Sequence, residues 1–198
     1  MKLEMIDSAI HSLKLVKEYF RDYRNKDCKD KKDNTSLELS IVFLYNSIEL
    51  LIQSILMNKN ELLIYEDLSQ NKLDECIKSI KLSLNPNLLL AKTLIKKEGI
   101  KTYTDLITTY CNIFDVNEST QTVLTNLGKL RDTVFCFGIK ESDDFNYILL
   151  ITYKSMNIIL DVLNEELEKI DDCFKSDDIR DILEPLVEDF NNIFAPIQ

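Results

Sequence analysis

Arg131, Asp132 and Cys136 are the residues whose types and spacing most directly suggest chemistry in this 198-residue chain. All three fall on one predicted helix, with the guanidinium and the thiol five positions apart. An Arg side chain is always charged and can hold a phosphate group through two parallel hydrogen bonds. A Cys thiol has a reference pKa of about 8.5, which makes it a poor acid–base group at neutral pH. The trio therefore favours phosphate binding over proton transfer.

A second polar pair, Asn46 and Glu49, lies inside a strongly apolar segment. Glu49 is flanked by Ile48 and Leu50, so we expect its carboxylate to be at least partly buried. A buried carboxylate needs a partner. Asn46 precedes Glu49 by about one helical turn, and we expect both side chains on the same face.

Two segments, in this order, resemble the HEPN family. The segment Asn46-Ser-Ile-Glu-Leu-Leu-Ile-Gln-Ser-Ile-Leu56 is similar to that family's central helix, and 62–67 is similar to the segment after this helix in one bacterial branch. The segment from Leu130 to Phe137 resembles its motif of Arg, a polar residue, three further positions and His, with Cys136 in place of the His. The resemblance covers residues 36–170 and implies a helical bundle in which 177–194 has no clear counterpart.

The resemblance implies that two chains dimerise and that their Arg and His residues cleave RNA without a metal. Attack by the RNA's own 2′-hydroxyl needs one group that takes the proton and another that stabilises charge on the phosphate. His suits the first task because its pKa of about 6.5 is close to working pH. Losing positioned proton transfer typically costs about 10²- to 10⁴-fold. The change at Cys136 therefore predicts an inactive relative, with the thiol packed as an apolar side chain.

The resemblance also nominates Arg131 as the partner of Glu49. Such a pair would hold the guanidinium for a phosphate or would simply join two helices. Arg131 itself can be read as a structural salt-bridge residue, a residual nucleic-acid contact or a catalytic group. Asp132 can be a plain exposed helix residue.

Charge and cysteine spacing limit the other functions. With 34 acidic and 24 basic side chains the net charge is -10, which opposes non-specific nucleic-acid binding but leaves room for a local basic cleft. The chain has one histidine, His11, and its five cysteines are scattered without metal-binding spacing. We therefore predict no metal and no cofactor. The apolar stretches are interrupted by Glu49, Gln53 and Lys154, so we predict no membrane span. The charges within the first seven residues argue against a signal peptide, so we predict a reduced, cytoplasmic protein.

The scarcity of turn residues, three Gly and three Pro, indicates long helices. Apolar residues at three- and four-residue steps predict an antiparallel, all-α, HEPN-like helical bundle with an extra C-terminal helix. We assign 1–172 to the bundle and 173–198 to a helical appendage packed on the same domain. A capping box is predicted at Thr35 and Glu38, and a bend or a helix start at Pro185. The predicted helices span about 3–24, 35–57, 70–82, 88–97, 102–114, 118–137, 143–172 and 177–194.

The sequence leaves three functional hypotheses. The first is a HEPN-like bacterial protein with a degenerate ribonuclease motif, serving as a dimerising or partner-binding module in a defence or toxin–antitoxin system. Its partners would be a second copy, an antitoxin or nucleotidyltransferase, and RNA. The second is an active, metal-independent endoribonuclease. The third is a plain helical adaptor whose motif match is accidental.

Overall fold

The computed structural model describes residues 2–25, 34–65, 99–140, 144–170 and 176–194. These ranges are built from helices, with an isolated antiparallel bridge between Tyr65 and Ile100 and no β-strand among them. The predicted all-α bundle is confirmed. Its helices are α1 (Lys2–Asn25), α2 (Thr35–Lys59), α3 (Tyr103–Ile113), α4 (Glu118–Phe137), α5 (Phe145–Ile158), α6 (Asn164–Glu168) and α7 (Ser176–Phe194), with a 3-10 turn at Glu61–Ile64 and a π turn at Ile159–Leu163.

Helices α1 and α2 form the central antiparallel pair. Near the middle of α2 the Ser47 hydroxyl donates a hydrogen bond to the carbonyl of Ala9, at 3.1 Å. One turn earlier on α2, the ring of Phe43 stacks on that of Tyr19 with their centroids 5.7 Å apart. All seven residues of 51–57 are buried, as the nearly continuous apolar sequence of α2 predicts. Helices α3 and α4 both pack against α2.

Helix α2 is also long and apolar enough, by length and composition alone, to cross a membrane. Although Glu49 and Gln53 lie within α2, its mean hydropathy is still high enough for a membrane span. Inside the fold, 67% of its most apolar window is buried. The core helix of a soluble protein passes the same test.

Helix α4, which carries the motif, has the predicted bounds. The side chain of Asn117 accepts a hydrogen bond from the backbone N–H of Thr120, at 2.8 Å, and so caps the first turn. At the other end Gly138 adopts a φ of 66°, a left-handed conformation that glycine reaches without steric cost. Local sequence therefore sets both ends of the motif helix.

The capping box predicted at the start of α2 is wrong. Asn34 is the N-cap residue and makes no side-chain capping hydrogen bond. The Glu38 carboxylate instead accepts a hydrogen bond from the backbone N–H of Ile139, at 2.7 Å, and the Asn34 amide donates to the Ile139 carbonyl, at 3.1 Å. The beginning of α2 thus fixes the chain directly after α4.

The C-terminal helices depart from one prediction. Where a single helix over 143–172 was expected, the π turn interrupts it between α5 and α6, and the side chain of Asp144 caps α5 by accepting from the Tyr147 N–H. Helix α7 continues through Pro185 and packs on α1, with the rings of Phe20 and Phe190 4.3 Å apart. The helices predicted at 70–82 and 88–97 lie outside the described residues.

Candidate functional site

The motif helix borders a polar cleft between α2, the start of α3, and α4. The cleft has a volume of about 490 Å³, within the usual range for small-ligand sites. Three of the five residues singled out in the sequence, Glu49, Arg131 and Asp132, line it. The others that line it are Tyr45, Thr102, Tyr103, Thr104, Thr125, Gly128 and Lys129.

Arg131 is held at the edge of this cleft by an aromatic ring and a neighbouring acid. Its guanidinium carbon lies 4.7 Å from the centroid of the Tyr45 ring and 5.5 Å from that of Phe135, both within cation–π range. One terminal nitrogen is 2.8 Å from the Asp132 carboxylate. The side chain is 35% exposed, and its Nε is buried without a hydrogen-bond partner. The group is therefore positioned, charged and incompletely paired.

The expected pair between Glu49 and Arg131 is not formed. Arg131 binds Asp132 instead, and within the described parts of the chain no basic nitrogen lies within 4.0 Å of the Glu49 carboxylate. Burial raises the pKa of Glu49, while the positive charge of Arg131 acts in the opposite direction. The two groups share a cleft and interact at a distance. An adjacent acid in the same helix satisfies the Arg at lower cost than a half-buried one across the cleft.

A pair of aromatic rings, Tyr45 and Tyr103, lies beside Arg131. The Tyr45 and Tyr103 ring centroids are 4.3 Å apart, and the Tyr103 hydroxyl donates a hydrogen bond to the Leu124 carbonyl, at 3.2 Å. A Cβ atom added to Gly128 would be 2.9 Å from the Tyr103 ring, closer than such atoms normally approach. Gly128 therefore lets Tyr103 pack directly on the α4 backbone, one turn before Arg131.

Neither the Tyr45 phenol nor the Tyr103 phenol is a base at neutral pH. Burial raises the pKa of Tyr45 to about 12, and the nearby Glu49 carboxylate adds to the effect. Burial also raises the pKa of Tyr103 well above its usual value. Both hydroxyls stay protonated and can only donate or accept hydrogen bonds.

The structure corrects the prediction for Cys136. The thiol was expected to be packed as an apolar side chain, but it is exposed. The adjacent rings of Phe135 and Phe137 are also exposed, at 75% and 71%. Val134 in the same turn is buried, so the last turn of α4 packs on the bundle through one face and presents 135–137 on its outward face.

Asn46 does not join the site. Its amide donates a hydrogen bond to the Ser12 hydroxyl, at 2.9 Å, and so faces α1 rather than the cleft. Asn46 and Glu49 are about one turn apart on α2 but have different roles. Asn46 joins α2 to α1, whereas Glu49 faces α4 across the cleft.

Sequence reasoning missed Tyr45, Tyr103 and Gly128. A usable signal existed for two of them, because Tyr45 precedes Glu49 by four residues and Gly128 precedes Arg131 by three, which places each pair on one helix face. Tyr103 offered no such signal, since its position depends on how α3 packs against α4.

Comparison of the chain with protein-family models, curated proteins and solved structures finds no match. Within the described residues, no group of three His, Cys, Asp or Glu side chains is close enough to hold a metal ion. His11 lies exposed on α1 and is not among the residues that line the cleft. The candidate site is therefore defined by its own geometry: a guanidinium, an unpaired carboxylate and two tyrosine rings.

Proposed function

We propose that this chain is a HEPN-like module with a degenerate ribonuclease motif, which binds RNA at the Arg131 cleft without cutting it efficiently. In this proposal it dimerises, or binds a protein partner such as an antitoxin or nucleotidyltransferase, in a cytoplasmic bacterial defence or toxin–antitoxin system. The biological setting rests on the sequence resemblance alone, because a fold does not specify a function.

The position of Arg131 carries the proposal. An arginine that only joins helices would have its nitrogens paired within the chain, whereas Nε of Arg131 has no partner and the side chain borders an open cleft. The contact with the Tyr45 ring uses the face of the guanidinium, which leaves for a ligand the terminal N–H donors that Asp132 does not bind. A planar, fixed cation of this kind suits a phosphate oxygen.

The groups around Arg131 support binding over cleavage. Efficient attack by the 2′-hydroxyl needs a group that exchanges a proton near neutral pH. Burial raises the pKa of the Tyr45 phenol to about 12 and that of Tyr103 well above its usual value. The motif position that would hold an imidazole has the Cys136 thiol. The two phenols and the thiol are poor substitutes for a histidine. Glu49 has no imidazole beside it among the residues that line the cleft.

Two exposed rings support the proposed dimerisation. Phe135 and Phe137 follow Arg131 on the same helix and present their side chains to solvent. Large exposed aromatic side chains on a single short segment are typical of interaction surfaces. A second copy that covered this turn of α4 would bring two Arg131 clefts close together.

Binding of fluorescein-labelled single-stranded RNA, measured by anisotropy, tests the proposal. We expect Arg131→Ala to weaken binding by about tenfold or more, since a lost charge-assisted hydrogen bond typically costs about 1.5–3 kcal/mol. Arg180→Ala, at an exposed arginine of α7, is the matched control and should bind like the wild type.

The same RNA is then followed on a denaturing gel, with and without a chelator. We expect the wild-type chain to leave it essentially intact. Robust cleavage that disappears in Arg131→Ala would instead establish the endoribonuclease alternative. Failure of the wild type to bind any RNA would favour the plain helical adaptor.

A further inference from the structure

The Glu49 carboxylate is the feature of the cleft that RNA binding through Arg131 leaves unexplained. It is half-buried at the centre of α2, and no described side chain or backbone N–H donates a hydrogen bond to it. Partial burial of a carboxylate costs free energy even where water still reaches its oxygens, and an apolar or amide residue at this position would avoid that cost. Such a cost is common where a side chain serves a ligand rather than the fold.

The chemistry of a carboxylate restricts what that ligand offers. An ionised carboxylate has two oxygens that accept hydrogen bonds and no donor. The ligand must therefore present donors, and two adjacent donors would satisfy both oxygens at once. The phosphate expected at Arg131 cannot fill this role because it is itself an anion and would be repelled. A different part of the same ligand must face Glu49.

Among the four RNA bases, guanine alone presents two adjacent donors, N1–H and the N2 amino group, on its Watson–Crick edge. Adenine and cytosine each present one amino group beside an unprotonated ring nitrogen, which a carboxylate repels. Uracil presents one N–H between two carbonyl oxygens. Proteins that recognise single-stranded RNA read these edges by hydrogen bonding.

We propose that the cleft is a subsite for a guanine nucleotide, in which Glu49 accepts hydrogen bonds from N1–H and N2–H of the base while Arg131 binds the phosphate. This inference rests on the proposed RNA contact at Arg131 and specifies its base preference. The cleft volume of about 490 Å³ accommodates one nucleotide. The two groups lie on different helices, α2 and α4, so a nucleotide would bridge them.

The test compares four labelled RNAs that differ at one position. Each is a hexauridylate, either unmodified or with a single guanosine, inosine or adenosine at the third position. We expect the full-length wild-type chain to bind the guanosine oligomer about tenfold or more tighter than the adenosine and uridine ones, because a bidentate base contact discriminates by that order. Inosine keeps N1–H but lacks the amino group and should bind with intermediate affinity.

Glu49→Gln is the decisive variant. The amide keeps the size of the side chain but removes one acceptor oxygen, so the preference for guanosine over adenosine and uridine should fall to within about threefold. Glu188→Gln, at an exposed acid of α7, is the matched control and should keep the preference. Circular dichroism and a thermal melt establish that both variants are folded.

Competition with free GMP shows whether the site binds a free guanine nucleotide or a guanosine within RNA. Displacement of the guanosine oligomer by GMP at a similar concentration would assign the site to a free nucleotide, and displacement only at far higher concentration would assign it to RNA. Either result supports the subsite if it is lost in Glu49→Gln.

Three results would overturn the inference, and they are distinguishable. If all four RNAs bind equally and depend on Arg131, the guanine subsite is wrong while the proposed RNA contact stands. If neither RNA nor GMP binds, the guanine subsite and the proposed RNA contact are both wrong. A guanosine preference that persists in Glu49→Gln would also refute the role assigned to the carboxylate.

Discussion

The guanidinium carbon of Arg131 lies 4.7 Å from the centroid of the Tyr45 ring, and this contact joins the motif helix α4 to the central helix α2. It takes the place of the ion pair that the sequence led us to expect between Arg131 and Glu49. A ring can hold a guanidinium through its face without occupying the N–H donors. The arrangement therefore fixes Arg131 and leaves both it and Glu49 available to a ligand.

Replacing Tyr45 tests how much this stacking contributes to stability. Tyr45→Leu removes the cation–π contact and the ring pair with Tyr103, which together are worth about 1–2 kcal/mol. Tyr45→Phe keeps the ring, and we expect it to stay within about 0.5 kcal/mol of the wild type. Urea unfolding at neutral pH gives both values. Equal stability of the two variants would mean that the ring contributes little to holding Arg131.

The pH dependence of stability tests the state of Glu49. Because burial raises the pKa of Glu49 in the folded protein, the folded state holds this proton more tightly than the unfolded state. Its contribution to stability is present below the unfolded pKa and is lost as pH rises through the folded one. We therefore expect Glu49→Gln to be as stable as the wild type or more so at pH 7, and the wild type to gain relative to it as pH falls towards 4.

Urea unfolding of the wild type and of Glu49→Gln between pH 4 and pH 7 measures this difference in stability. Glu188→Gln is the control, and its stability should follow that of the wild type. A loss of about 3–5 kcal/mol for Glu49→Gln at pH 7 would contradict the expectation. That is the cost of breaking a buried ion pair, and it would show that Glu49 has a charged partner after all.

The ends of the motif helix were predictable because they depend on residues close in sequence. Asn117 caps the first turn of α4, Gly138 ends the last one, and the apolar spacing between them is helical throughout. The central position of α2 was predictable for a similar reason, since apolar residues on nearly all sides leave no solvent-facing side.

The contacts within the cleft were not predictable, because each depends on how separate helices pack. Whether Arg131 pairs with Asp132 or with Glu49 is decided by the distance between α2 and α4, which periodicity does not give. Cys136 was expected to be packed, yet it lies on the outward face of the last turn of α4, whose inward face is taken by the buried Val134. The capping role expected of Glu38 was lost to a stronger contact with Ile139, a residue 101 positions away.

Dimerisation is tested by removing the two exposed rings. We expect the wild-type chain to be a dimer at micromolar concentration by light scattering, and the double variant Phe135→Ser with Phe137→Ser to dissociate at least tenfold more readily, because each ring can bury about 150–250 Å² at an interface. Ile100→Ser, at an exposed apolar residue outside α4, is the control and should remain dimeric. A monomeric wild type would count against a dimer built on α4.

The change at position 136 is tested by restoring the histidine of the family pattern. Since Cys136 is exposed, Cys136→His places an imidazole five residues after Arg131 without disturbing the core. We expect this variant to gain measurable RNA cleavage that is independent of metal, and a further Arg131→Ala change to abolish it. Thr133→His is the matched control, because it introduces the same imidazole at another exposed position of α4. Cleavage by both variants alike would show that position 136 has no special role, and a Cys136→His chain that binds RNA but cleaves none would show that the thiol is not what silences the site.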